Sequence, residues 1–68
     1  MNEYILTFGF GQTYKGELMD NHYCRLYADN QKDARNLAYD LFGQQWCNIY
    51  DNEDEAGVKE FDLIELKL

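Results

Sequence analysis

The stretch Asn30–Gly43, "NQKDARNLAYDLFG", decides the fold. Asn30 is a natural helix N-cap, because its side-chain oxygen accepts from a free N–H of the first turn. Asp33 adds negative charge where the helix dipole is positive. Ala34, Leu37, Ala38 and Leu41 recur at i, i+3, i+4 and i+7, which makes one apolar stripe. Gly43 ends the helix as a residue free to turn left-handed. The two alanines let such a helix approach a sheet closely, so the rest of the chain is read for the sheet.

Upstream, "EYILTF" at residues 3–8 alternates Tyr4, Leu6 and Phe8 on one face with Ile5 and Thr7 on the other. Both faces are apolar enough for a central strand. "GFGQTYKGELMD" at 9–20 is turn-rich, broken by Gly9, Gly11 and Gly16. "NHYCRLYA" at 21–28 alternates again and reads as a second strand, antiparallel to the first. His22, Cys24, Leu26 and Ala28 share one side, and Tyr23, Arg25 and Tyr27 the other.

Downstream, "QQWCNIY" at 44–50 reads as a third strand, with Trp46, Asn48 and Tyr50 on one face and Cys47 and Ile49 on the other. "DNEDEAG" at 51–57 reads as an acidic hairpin loop. "VKEFDLIELKL" at 58–68 reads as a fourth strand whose parity breaks near Leu63–Ile64, as a bulge would produce. The order ββαββ predicts a single α+β domain over residues 1–68, a mainly antiparallel sheet with one helix on one face. If the first and third strands are neighbours, a right-handed crossover makes them parallel.

Length and composition bound the function. A chain of 68 residues has room for one core and buries only about 60% of its unfolded surface. Six Tyr, four Phe and one Trp offset that shortness, because each buried ring removes roughly 150–250 Å² from water. No charged, apolar leader and no run of roughly 18 apolar residues is visible, which predicts a cytoplasmic protein without membrane association. Cys24 and Cys47 form no C-x-x-C pair, and reduced thiols are expected.

Net charge is −7 and unevenly spread. Residues 1–50 carry six acids and four bases, while residues 51–68 carry seven acids and two bases. Direct nucleic-acid binding is disfavoured, since phosphate contacts need clustered Lys and Arg. Docking to a protein with a basic surface is favoured.

The candidate chemical motifs are weak. "TFGFGQ" at 7–12 has Tyr14 where a dinucleotide fingerprint needs its third glycine, and Lys15-Gly16 is in the wrong order for a phosphate loop. Its glycines read better as the bend by which the chain leaves the first strand. His22 and Cys24 share a strand face, but no orienting acid or oxyanion hole is signposted, so a core Cys beside a partly buried His is expected. In the acidic run the glycine falls one place late for a calcium loop. No catalytic residue, metal or cofactor is therefore expected. Tyr14, Tyr23, Tyr27, Tyr39 and Tyr50 are too many for so small a core, which predicts a surface share of tyrosines suited to protein contacts.

"YILTFGFGQ" at Tyr4–Gln12, Gly16, the strand ending at Ala28, "DAR" at Asp33–Arg35 and "LFGQQWCNIY" at Leu41–Tyr50 resemble a group of small proteins encoded by bacteriophages and prophages. That group shows a strand ending in TFG-x-GQ, a helix with an Ala-Arg pair, then FG-x-x-W and a Tyr. The resemblance spans roughly residues 4–50. This chain departs from it in its polar second strand and its acidic C-terminal segment. The resemblance implies a phage origin and a ββαβ-type fold, and carries no activity.

Two functions follow as expectations. The first is a non-enzymatic module in the bacterial host cytoplasm that binds a basic protein surface through Asp51, Glu53, Asp54, Glu55, Glu60 and Asp62, with Tyr50 and Phe10. Its concrete form is a nucleic-acid mimic that inhibits a host defence protein. The alternative is a structural or accessory phage protein that self-associates, as a homodimer, through a sheet edge.

Overall fold

The computed structural model describes all of residues 1–68. The chain is an α+β fold, with elements β1 (Asn2–Thr7), β2 (Thr13–Tyr14), β3 (Glu17–Leu18), β4 (His22–Ala28), α1 (Gln31–Phe42), β5 (Asn48–Tyr50), α2 (Glu53–Ala56) and β6 (Ile64–Glu65). Four strands make the main sheet in the order β5-β1-β4-β6, and β2-β3 is a separate small hairpin.

The period-two pattern of β1 and β4 is realised as read. They pair antiparallel from Asn2↔Ala28 to Thr7↔Tyr23. Tyr4, Leu6 and Phe8 join Cys24, Leu26 and Ala28 on the face under α1. Ile5 and Tyr23 point to the other face, where Ala56 and Val58 meet them. The sheet is thus covered on both sides, and Ile5 and Leu6 are fully buried back to back.

Helix α1 begins where the cap predicts. The Asn30 Oδ1 accepts from the Asp33 N–H at 2.9 Å, and the Gly43 N–H closes the last turn on the Tyr39 carbonyl at 2.9 Å. Its buried line is Ala34, Ala38 and Phe42, while Leu37 is half-buried and Leu41 exposed. The stripe is therefore rotated from the one expected. Phe42 causes this: its ring packs edge-on against Phe8 and Tyr14, each at 5.2 Å between centroids, and draws that side of the helix onto the sheet.

Five expectations are corrected. β1 and β5 are neighbours, but antiparallel, through Ile5↔Tyr50 to Thr7↔Asn48. β4, α1 and β5 form a crossover that leaves a gap for β1, so the parallel relation falls between β4 and β5. The third strand is only Asn48–Tyr50, because Trp46 turns back to donate its Nε1–H to the Gly43 carbonyl at 3.0 Å. Trp46 consequently joins Ile49 in the same buried cluster while Cys47 is exposed, so the expected alternation, with Cys47 and Ile49 on one face and Trp46 on the other, does not hold.

The acidic run is a helix and not a hairpin loop. Asn52 caps α2 by accepting from the Glu55 N–H at 2.8 Å, and Gly57 ends it at φ 76°. The last segment turns through residues 58–63 and reaches β6, which pairs parallel to β4 at His22↔Ile64 and Tyr23↔Glu65. Only two residues of the expected fourth strand are extended in the sheet. The expected α+β fold stands, a mostly antiparallel sheet with one main helix, α1, on one face, and the short α2 with residues 58–63 covers the other.

Candidate protein-binding surface

The second cover is rich in acid, with five carboxylates against the one base Lys59. Ala56 and Val58 anchor it, and Asp51, Glu53, Asp54, Glu55, Glu60 and Asp62 are all exposed. On the opposite layer α1 holds Lys32, Arg35, Asp33 and Asp40, a balanced set. Glu53, Asp54 and Glu55 sit in the first turn of α2, where free N–H groups favour carboxylates.

Not all of this charge is free. Arg25, on the cover side of β4, gathers three carboxylates from three elements. Its Nη1 donates to Glu3 of β1 at 2.8 Å and to Glu53 of α2 at 3.0 Å, and its Nε lies 3.5 Å from Glu65 of β6. Nη2 also reaches the Tyr23 hydroxyl, at 3.4 Å. Hydrogen bonds donated to the Glu3 and Glu53 carboxylates make the guanidinium hold its proton even more firmly than usual. Burial, and then the Glu65 charge, raises Tyr23 above its ordinary value. Glu53 and Glu65 are therefore internal partners, which leaves Asp54, Glu55, Glu60 and Asp62 unpaired on the cover and Asp51 unpaired just ahead of it. The alternation of β4 placed Arg25 on the correct face, but its role as a strut was invisible, because all three of its partners are distant in sequence.

The aromatic candidates divide. Phe10 is 97% exposed. It occupies the corner of a turn in which the Gln12 N–H donates to the Gly9 carbonyl at 3.2 Å, with Gly11 at φ 80°. That geometry needs glycine after the corner residue. The Gln12 side chain fixes the turn, accepting from the Gly9 N–H and donating to the Trp46 carbonyl at 2.9 Å. The TFGFGQ bend is thus a braced turn at the exit of β1. Tyr50 is half-buried against the second cluster, and Tyr23 lies in it, so neither is a free contact group. Tyr27 and Tyr39 are exposed. Phe10 also stands apart from Asp51, which lies beside Met1–Tyr4 at the other end of β1. The expected group is split between two ends of the molecule.

The other candidates are packing residues. Cys24 is buried, and burial followed by the Glu65 charge pushes its thiol up to about 11, so it is protonated at neutral pH. Cys24 and Cys47 are both free thiols. His22 lines a cavity of about 330 Å³ with Asp20, Asn21 and Phe61, and its Nδ1 is buried without a partner. No three His, Cys, Asp or Glu side chains converge as metal ligands would. No helix is long and apolar enough to cross a membrane. Comparison with protein-family models, curated proteins and solved structures found no match to this chain.

Proposed function

We propose that this chain is a non-enzymatic protein-binding module that docks a basic surface through its acidic cover. One observation carries the reading: four exposed carboxylates without an internal partner, Asp54, Glu55, Glu60 and Asp62, share the cover of one sheet face with a single base, Lys59, while the helix on the other face is charge-balanced. Carboxylates displayed together raise the local concentration of cationic partners and speed their encounter. The cover is rigid enough to display them, because Arg25 ties it to β1, β4 and β6.

On the phage resemblance, the partner is a host protein in the bacterial cytoplasm. Spaced carboxylates on a firm body also suit the more specific form, a nucleic-acid mimic seated in a basic groove. Affinity capture from bacterial lysate, at low and high salt, tests the reading. The variant Asp51→Asn/Asp54→Asn/Glu55→Gln/Glu60→Gln leaves the Arg25 pairs untouched and serves as the control. The wild type should retain proteins that high salt and duplex DNA release and that the variant does not bind. Equal retention by both proteins refutes the acidic cover as the docking surface.

A further inference from the structure

We propose that two copies of this chain pair across the groove between α1 and the C-terminal segment, along the open edge of β4. The proposal does not rest on the acidic cover, whose unpaired carboxylates are not among the residues lining this groove.

The edge is open by geometry. β4 runs to Ala28, but its ladder with β6 stops at Tyr23↔Glu65. The Ile64 and Leu66 N–H groups donate to the Asn21 and Tyr23 carbonyls, so odd-numbered residues of β4 face this side. Arg25 and Tyr27 are next in that series and form no ladder there. An unpaired strand edge is a template for another strand.

Beside the edge lies an apolar groove of about 520 Å³, walled by Tyr27, Leu37, Leu41, Leu66 and Leu68 with Met1 at one end. Met1 is 91% exposed, Leu68 65% and Leu41 36%, an unusual concentration of apolar surface at one corner of a chain this polar.

Charge selects the occupant. The molecule carries −7, and contact through the cover would press carboxylates together. The charged lining of the groove is instead mixed, Arg25 and Lys67 with Glu65, and carries no excess of acid. A two-fold axis sets this mixed lining against its own copy, so that no cluster of carboxylates meets another there. The same axis brings two β4 edges together antiparallel, and each supplies the N–H and C=O groups that the other lacks. A small core gains stability from such pairing.

Sedimentation equilibrium over a concentration series, with amide exchange followed at Arg25 and Tyr27, tests the pairing. A monomer–dimer equilibrium is expected, with both amides slowing in step with the dimer fraction. Leu41→Lys and Leu68→Asp are at exposed positions and add opposite charges. Each should raise the dimer Kd at least about tenfold, equivalent to about 1.4 kcal/mol. Added salt should leave the dimer unchanged or tighten it, by screening the repulsion of two acidic bodies, whereas docking at the acidic cover should weaken. A chain that stays monomeric throughout overturns the proposal. So does a dimer that both variants leave intact while the Arg25 and Tyr27 amides exchange freely.

Discussion

Replacing Arg25 by Met keeps the length of the side chain and removes the charge that holds Glu3, Glu53 and Glu65 together. Their side chains retain 46%, 47% and 29% of their exposure, so solvent screens each pair and each contributes on the order of 0.5 kcal/mol. The loss exceeds their sum, because three like charges from three elements are left close together without a counter-ion. A total of about 1–3 kcal/mol is expected. A domain of this length holds about 3–10 kcal/mol of stability in all. Each kcal/mol lowers Tm by about 4–8 °C at this size, so Arg25→Met should melt about 10 °C below wild type in thermal denaturation at low salt.

Two controls sharpen the test. Arg25→Lys should recover less than half of the loss, since an ammonium cannot direct separate N–H groups at carboxylates on different sides. Adding Glu3→Gln, Glu53→Gln and Glu65→Gln to Arg25→Met should restore most of it by removing the repulsion. Raising the ionic strength should narrow the gap between Arg25→Met and wild type. A Tm for Arg25→Met within about 1 °C of wild type at low salt would refute the strut.

Gly57→Ala should cost more than Gly11→Ala. Both sites have positive φ, 76° and 80°, worth about 1–2 kcal/mol for a side chain, but only at Gly57 would the added methyl meet the Phe61 ring, at 2.6 Å. Adding Phe61→Ala should bring Gly57→Ala back toward the Gly11→Ala value in urea unfolding. Under native conditions a thiol reagent should label Cys47 quickly and Cys24 only as the fold opens. Because burial pushes Cys24 up to about 11 from 9.0, the unfolded thiol ionises first, so stability should fall between about pH 9 and 11, by on the order of 2–3 kcal/mol. Cys24→Ala should flatten that slope. Gln12→Ala leaves the Gly9 N–H and the Trp46 carbonyl without their partners and should cost about 1–3 kcal/mol, with the amides of residues 9–13 exchanging faster.

What was legible in the sequence was what short-range rules govern. Asn30 and Gly43 delimit α1, and the alternation of β1 and β4 assigns their faces correctly. The second helix obeyed the same rules, with Asn52 as cap and Gly57 as stop. It was hidden because a single turn has no apolar period, and its crowded charge reads as a solvated loop. Trp46 and β6 were misread for another reason. A hydrogen bond from the indole to the Gly43 carbonyl holds residues 44–46 in a turn ahead of the sheet, which the chain rejoins at the Cys47 N–H, and β6 finds its partner in β4, far back in the chain. The candidate site was legible in composition alone. Acid content placed charge near the C-terminal end, but the internal use of Glu53 and Glu65, and the separation of Phe10 from Asp51, depend on the packed sheet.

The place of β1 inside the sheet has a kinetic consequence. Ile5 lies between Arg25 on one side and Tyr50 on the other. β1 is thus enclosed only after β4 has paired with one edge and β5 with the other, and the second edge stays bare until residues 48–50 have been made. Long-range closure of this sort is slow for a domain so small. Escape from premature association during that wait rests on the speed with which the β1–β4 ladder zips, since that step needs only the nearer half of the sequence.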